Sequence, residues 1–182
     1  MNRILTLLIA SASLFAAMEL ASAEPASPPA PAVTTKTFQD WLVRCPTAPG
    51  PCDAVQLLVE PKSKQRVLSI SVAFDAAKAH HVVRVVLPLG VWLPNGVTIV
   101  AGAVKIEKVV VRRCEPFGCV VEGLLDAKLR EAMRKGGEAK VVVFDQALKP
   151  LDLKFSLKGY AEAEDQMVAD TKKAKPPEPP KP

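Results

Sequence analysis

Short segments in which apolar and polar side chains alternate are the feature that most restricts the fold of this 182-residue chain. Residues 151–157 have the sequence LDLKFSL, and residues 68–74 have the sequence LSISVAF. Because successive side chains of a β-strand point to opposite faces, a period of two gathers the apolar side chains on one face. Both segments are therefore predicted to be strands with one buried face.

Several further segments share this strand character. Residues 80–87 are rich in β-branched side chains, and residues 141–144 form a continuous apolar run that we expect to be buried on both sides. Between residues 104 and 111 the apolar positions change parity near Lys108, which predicts a β-bulge. Weaker strands are predicted at residues 38–44, 54–59, 97–100 and 119–122.

Helical spacing is clearest between residues 125 and 136. Leu125, Leu129 and Met133 recur every four residues, and Gly136 ends the pattern. A short helix is also expected after Tyr160. About eight short strands with one or two short helices predict an all-β fold, mainly antiparallel and arranged as a β-sandwich or in a barrel-like form.

The two ends of the chain differ in composition from its middle. Residues 1–23 combine a positive start, an apolar run and the ending Ala-Ser-Ala, which predicts a signal peptide cleaved after Ala23, with no transmembrane segment left after cleavage. Residues 24–37 are predicted to be a Pro-rich linker, and residues 170–182 a disordered Lys/Pro-rich tail. The folded domain is expected at residues 38–169, either in the periplasm of a Gram-negative bacterium or secreted and associated with its surface.

Four cysteines fall in two local pairs. An oxidising compartment favours disulfides, and four cysteines allow three connectivities. We favour Cys45–Cys52 and Cys114–Cys119, because each pair flanks a segment rich in turn residues. A zinc site and a redox-active pair are the alternatives, but neither spacing is Cys-x-x-Cys and no histidine lies nearby.

Residues suited to catalysis are scarce. The two histidines, His80 and His81, are neighbours, so in a strand they point to opposite faces and cannot easily act together. No phosphate-binding loop, dinucleotide fingerprint or nucleophile elbow occurs. We predict no catalytic residue, no metal and no cofactor. The alternative is an envelope-remodelling hydrolase with either histidine as its base near Asp75.

The formal net charge of +5 limits the classes of partner. The Lys and Arg residues are dispersed and have almost no aromatic residues among them, so nucleic acid is not expected as a ligand. A weak attraction to anionic envelope surfaces is the more natural consequence of the charge.

Taken together, five sequence features resemble the invasion-associated locus B family of exported bacterial proteins. They are FQDW at residues 38–41 followed by VRC at 43–45, Cys52, VLPLGVWLPNGV at 86–97, Cys114 with Gly118-Cys119, and FSLKGY at 155–160. The resemblance covers about residues 37–165. It implies an all-β periplasmic or surface-associated protein, linked in some pathogens to host-cell entry, and it implies no catalytic residue or cofactor.

The segment at 86–97 is the most distinctive of these features. Pro88 ends the preceding strand, and Asn95-Gly96 is a strong turn signal. Its apolar side chains either cap the core or form an exposed rim that a partner covers, and the rarity of large exposed apolar patches favours the cap. If the segment is exposed, the candidate binding residues are Trp92, Leu89 and Val91. Trp41 is expected to pack beside the Cys45–Cys52 bridge.

These observations favour a non-enzymatic binding or envelope-interaction module. Its partner would be an envelope or host-surface protein that the sequence does not identify. Besides the hydrolase, an inert domain that carries its Pro-rich ends as adaptors is a further alternative.

Overall fold

The computed structural model describes residues 32–47 and 50–174, which form eleven strands and two helices. The strands are β1 (Val33–Phe38), β2 (Trp41–Pro46), β3 (Asp53–Val59), β4 (Arg66–Asp75), β5 (His80–Leu87), β6 (Val97–Ala101), β7 (Val104–Val109), β8 (Arg113–Glu115), β9 (Gly118–Leu124), β10 (Glu138–Phe144) and β11 (Pro150–Ser156). The helices are α1 (Ala127–Lys135) and α2 (Tyr160–Lys173). The predicted signal peptide, the linker up to residue 31 and the tail from residue 175 lie outside the described residues.

The strands form two antiparallel sheets that share one core. The seven-stranded sheet has the order β1-β2-β3-β4-β5-β9-β8, and the four-stranded sheet has the order β11-β10-β6-β7. Buried side chains from both sheets and both helices belong to a single hydrophobic cluster. The predicted all-β fold with short helices is confirmed, and it takes the two-sheet form.

Burial follows the period of two that the sequence predicts. In β4 the side chains of Leu68, Ile70, Val72 and Phe74 are buried and their neighbours are not. The prediction that residues 141–144 are buried on both sides is wrong, because Val142 and Phe144 are only half-buried. They lie on the outer face of the four-stranded sheet, which carries surface ion pairs such as Lys140–Asp152.

Two strand boundaries differ from the sequence prediction. The segment 38–44 is not one strand, because Gln39, with a φ of 49°, turns the chain between β1 and β2. Residues 33–37, assigned above to the linker, belong to β1. The turn packs closely on Gly159, where a Cβ atom would lie 2.2 Å from the carbonyl oxygen of Phe38. The predicted bulge is confirmed, since Lys108 has a φ of 55° and β7 contains one extra residue opposite β6.

Both predicted disulfides are present, and each closes a hairpin. Cys45–Cys52 joins β2 to the start of β3, and Cys114 and Cys119 are direct cross-strand partners in β8 and β9. The backbone N–H of Cys52 donates to the hydroxyl of Thr171 at 3.0 Å, which fixes the first bridge to the last turn of α2. No cysteine is free, so no thiolate is available for a zinc site.

The helices begin and end where local sequence signals place them. The Asp126 carboxylate accepts hydrogen bonds from the backbone N–H groups of Lys128 and Leu129, which caps α1. Leu129 and Met133 face the core, as predicted. The helix expected after Tyr160 is α2, which extends to Lys173, so the prediction of a disordered tail is wrong for residues 170–173, which are helical.

Trp41 attaches α2 to the seven-stranded sheet. Its side chain is fully buried, its indole N–H donates to the carbonyl oxygen of Ser156 at 2.9 Å, and its ring centroid lies 4.8 Å from that of Tyr160. Its other aromatic neighbour is Phe155, at 6.5 Å. The observed aromatic contacts of Trp41 are thus with α2 and β11.

A fully buried carboxylate, Glu164, lies on the core-facing side of α2. Its Oε1 accepts from Arg130 Nε at 2.6 Å and from the Tyr160 hydroxyl at 3.2 Å, and its Oε2 accepts from Arg134 Nη1 at 2.5 Å. Arg134 also forms a bidentate pair with Asp165. Burial and the neighbouring Glu164 raise the pKa of Tyr160, so its hydroxyl stays protonated and donates. Two arginines of α1 thus offset the cost of burying one carboxylate of α2.

His81 of β5 lies against this Glu164 cluster. Its Nε2 is 3.4 Å from Glu164 Oε1, and within the described residues it has no hydrogen-bond partner. Burial lowers the pKa of His81, and the positive charges of Arg130, Arg134 and His80 add to this effect, while Glu164 opposes it. The ring of Phe74 covers it at 5.0 Å. The folded protein therefore disfavours the protonated form of His81.

We expect Glu164→Gln to lower the free energy of unfolding by about 3 kcal/mol, because it leaves two guanidinium groups without their shared buried carboxylate. Urea unfolding at neutral pH measures the change. Asp165→Asn is the matched control, because Asp165 contacts the same Arg134 from the surface and should cost less than about 1 kcal/mol. Equal losses for the two variants would contradict a structural role for the buried charge.

We also expect acid to destabilise the fold through His81. The folded-state pKa is below the unfolded value of about 6.5, so the unfolded chain binds the proton more tightly. The contribution of His81 to the free energy of unfolding is fully present above about pH 6.5, and it decreases as the pH falls toward the folded-state pKa. The urea midpoint should drop between about pH 7.5 and 5.5 in the wild type and in His80→Gln, but less in His81→Gln. An equal drop in His81→Gln would contradict the assignment.

Candidate interaction surface

The loop between β5 and β6, residues 88–96, has a backbone fixed by specific contacts. The backbone N–H of Trp92 donates to the carbonyl oxygen of Phe144 at 2.7 Å, which joins the loop to the end of β10. Gly96 has a φ of 67°, and a Cβ atom there would lie 2.9 Å from the Cα of Lys108. The loop is therefore held between β7 and β10, and only glycine fits its last position.

Side chains of this loop extend into solvent although its backbone is fixed. Trp92 is 41% exposed and Leu89 is 56% exposed, while Val91 is half-buried against the core. Leu87, the last residue of β5, is buried. The expected core cap is therefore wrong for Leu89 and Trp92, because the backbone contacts of the loop direct these side chains outward.

A cleft of about 740 Å³ adjoins the loop. Leu93 lines one side, and Val110, Val111 and Phe144 contribute further apolar walls. Lys108 lies at the same cleft. The exposed side chains of the loop thus continue into a partly apolar depression.

Strand register places this loop among other turns at one end of the sandwich. We call this the turn end and define it as residues 60–65, 88–96, 108–111, 116–117 and 145–149. Four of these segments lie just beyond the paired positions Val59–Arg66, Leu87–Cys119, Glu115–Gly118 and Phe144–Pro150. Residues 108–111 are the end of β7 around Val109, the partner of Val97, and the two residues that follow.

Direct contacts also join the turns. The guanidinium of Arg66 lies 5.9 Å from the ring centroid of Phe117 and donates to the carbonyl oxygen of that residue. At Gly118, with a φ of 140°, a Cβ atom would lie 2.4 Å from the carbonyl oxygen of Leu87. The turns at 60–65 and 116–117 are therefore adjacent to the start of the Trp92 loop.

Exposed apolar side chains are concentrated at the turn end. Eleven large hydrophobic residues are exposed within the described part of the chain. Six of them are in the turn end: Leu89, Trp92, Leu93, Val110, Phe117 and Leu148. The sequence points only to members of the Trp92 loop, because residues 110, 117 and 148 come together only through the topology.

Another concave surface lies on the outer face of the seven-stranded sheet. Its volume is about 820 Å³, and Arg84, Arg113 and Glu122 lie on its wall. Glu122 pairs with Arg84 at 2.5 Å and with Arg113 at 3.1 Å, and the hydrogen bond from Arg113 holds the pKa of Glu122 below its usual value. These charges largely neutralise one another, as expected for a solvated sheet face.

The candidate catalytic histidines occupy different environments. His80 Nε2 lies 3.9 Å from Asp75 at the surface, whereas His81 faces the buried Glu164. Neither lines either of the two concave surfaces described above. The arrangement gives the hydrolase alternative no support, since a general base must reach a substrate.

The described residues contain no group of three or more His, Cys, Asp and Glu side chains placed to hold a metal ion. Among them, neither helix is long and apolar enough to cross a membrane.

Comparisons with known proteins place this architecture in a family. The family model "Invasion associated locus B (IalB) protein" matches residues 41–168. Invasion protein B homologs from two strains of Brucella abortus are each 30% identical over 169 residues, covering 90% of this chain and 96% of the relative. The crystal structure of invasion associated protein B from Bartonella henselae matches with a TM-score of 0.69 at 24% identity, covering 76% of this chain and 99% of that chain. The chain belongs to the invasion associated locus B family.

Proposed function

We propose that this protein is an exported, non-enzymatic binding module of the bacterial envelope that contacts its partner through the turn end, with Trp92 as the central anchor. The observation behind the proposal is the gathering of six exposed large apolar side chains at one end of the sandwich. Apolar side chains gathered on an otherwise polar surface are typical of interaction sites.

The other features of the molecule agree with this function. The relatives are named as invasion proteins rather than as enzymes. The two disulfides suit an oxidising compartment outside the cytoplasm. Of the two histidines, His81 is packed against a buried carboxylate, and His80 lies at the surface outside the concave surfaces described above. A role in contact with host cells is a further part of the proposal, drawn from the names of the relatives.

We expect Trp92→Ala to weaken binding of the purified, oxidised protein to isolated bacterial envelope fragments by about tenfold or more, because anchors of this type dominate interface energies. Sedimentation of labelled protein with the fragments measures the affinity. Leu89→Ala should weaken binding in the same direction.

Leu124→Ala is the matched control for this experiment. Leu124 is 69% exposed, at the opposite end of the seven-stranded sheet, and its loss should leave binding unchanged. Urea unfolding of each variant excludes loss of the fold as the cause. Wild-type affinity in Trp92→Ala, or no binding of the wild type, would disprove the turn end as the contact surface.

A further inference from the structure

The geometry points to an anionic phospholipid bilayer as the occupant of the turn end. In this arrangement Trp92, Leu89 and Leu148 enter the membrane interface, and lysines around them contact the headgroup phosphates. The inference rests on the proposed function, because it uses the same surface and names the chemistry of what that surface binds.

The position of the exposed apolar side chains favours a membrane as the occupant. Leu148, 55% exposed with a φ of 60°, lies in the turn between β10 and β11, and Leu89 and Trp92 lie in the neighbouring loop. These side chains extend from two separate segments, residues 88–96 and 145–149. Side chains on adjacent turn tips can enter a fluid interface together, whereas a rigid protein partner must match each tip with its own pocket.

The chemical character of Trp92 also favours a membrane interface. Trp92 combines a large apolar ring with an indole N–H that has no hydrogen-bond acceptor among residues 32–47 and 50–174. Tryptophan is enriched at the depth of lipid headgroups, where the ring is in an apolar environment and its N–H remains hydrogen-bonded.

The distribution of lysines and carboxylates at the turn end favours an anionic membrane. Four lysines of the turn end, Lys62, Lys64, Lys108 and Lys149, have no carboxylate within 4.0 Å in the described part of the chain. Two carboxylates, Glu60 and Asp145, also belong to the turn end, so its formal net charge is +2. Glu60 accepts from Ser63 N–H, Glu107 pairs with Lys105, and Asp145 accepts from the backbone N–H of Lys149.

The lysines and the apolar tips belong to one surface. The contact between Arg66 and Phe117 brings the turn with Lys62 and Lys64 beside the turn at 116–117. Lys108 touches Gly96 of the Trp92 loop, and Lys149 directly follows Leu148. Apolar tips surrounded by cations without partners complement a membrane whose core is apolar and whose surface is anionic.

Vesicle binding of the oxidised protein tests this inference. Phosphatidylcholine vesicles with and without phosphatidylglycerol are floated with the protein. The wild type should float with the anionic vesicles and lose binding as salt is raised. Trp92→Ala and Leu148→Ala should each bind several-fold more weakly. The double variant Lys108→Gln/Lys149→Gln should lose about fivefold per lysine.

Fluorescence gives a second readout on the same samples. The protein has two tryptophans, of which Trp41 is fully buried and Trp92 is exposed. Emission should shift to shorter wavelength when anionic vesicles are added, because Trp92 enters a less polar environment. The shift should disappear in Trp92→Phe, which retains an apolar ring and part of the binding.

The matched controls are Leu124→Ala and the double variant Lys78→Gln/Lys128→Gln, which removes the same charge outside the turn end. Binding that falls as much in these controls, or equal binding to vesicles without phosphatidylglycerol, would overturn the inference. If envelope fragments retain the protein through Trp92 but protein-free vesicles do not, the proposed function stands and the occupant is an envelope protein. If neither retains it, both proposals fail.

Discussion

The unequal width of the two sheets is the constraint on which the architecture depends. A four-stranded sheet cannot cover the inner face of a seven-stranded one, so the side chains of β2, β3 and part of β4 need another cover. Helix α2 supplies it, with Tyr160 and Met167 buried over Trp41 and the neighbouring strands. Because α2 lies between sheet and helix, one of its inward positions faces α1, and the chain places Glu164 there, opposite two arginines.

This arrangement places the stabilising contacts and the proposed binding surface in different parts of the molecule. The helices, the Glu164 cluster and the Cys45–Cys52 bridge, tied to Thr171, occupy the part of the sandwich opposite the turn end. The turn end has fewer structural demands, since its side chains project beyond the last strand pairs. A protein built this way can change its exposed turns without loss of core packing, which suits a scaffold for recognition.

The strands were predictable because each alternation is local, as in residues 151–157. The Glu164 cluster was not, because a glutamate is normally a surface residue. Only the packing of α1 on α2 brings Glu164 to two arginines that are 34 and 30 residues away in the sequence. A usable signal exists, since Arg130 and Arg134 are spaced one helical turn apart. The prolines that precede β1 favoured a linker there, so the strand was not predicted. The turn at Gln39 was not predicted because it depends on a positive φ value, which is unusual for this residue type. Trp92 could be chosen as a candidate, but its neighbours Phe117 and Leu148 depend on the order of strands.

Two glycines fix the backbone of the turn end, while the side chains between them remain exposed. Gly96 and Gly118 both have positive φ values, and a side chain at either would collide with backbone atoms of the adjoining strand. These positions fix where the Trp92 loop and the turn at 116–117 approach their neighbours. Leu89 meets no such restriction, because its side chain is exposed, whereas Leu148 is exposed but has a positive φ of 60°. The glycines therefore determine the geometry of this surface, and the exposed residues between them determine its chemistry.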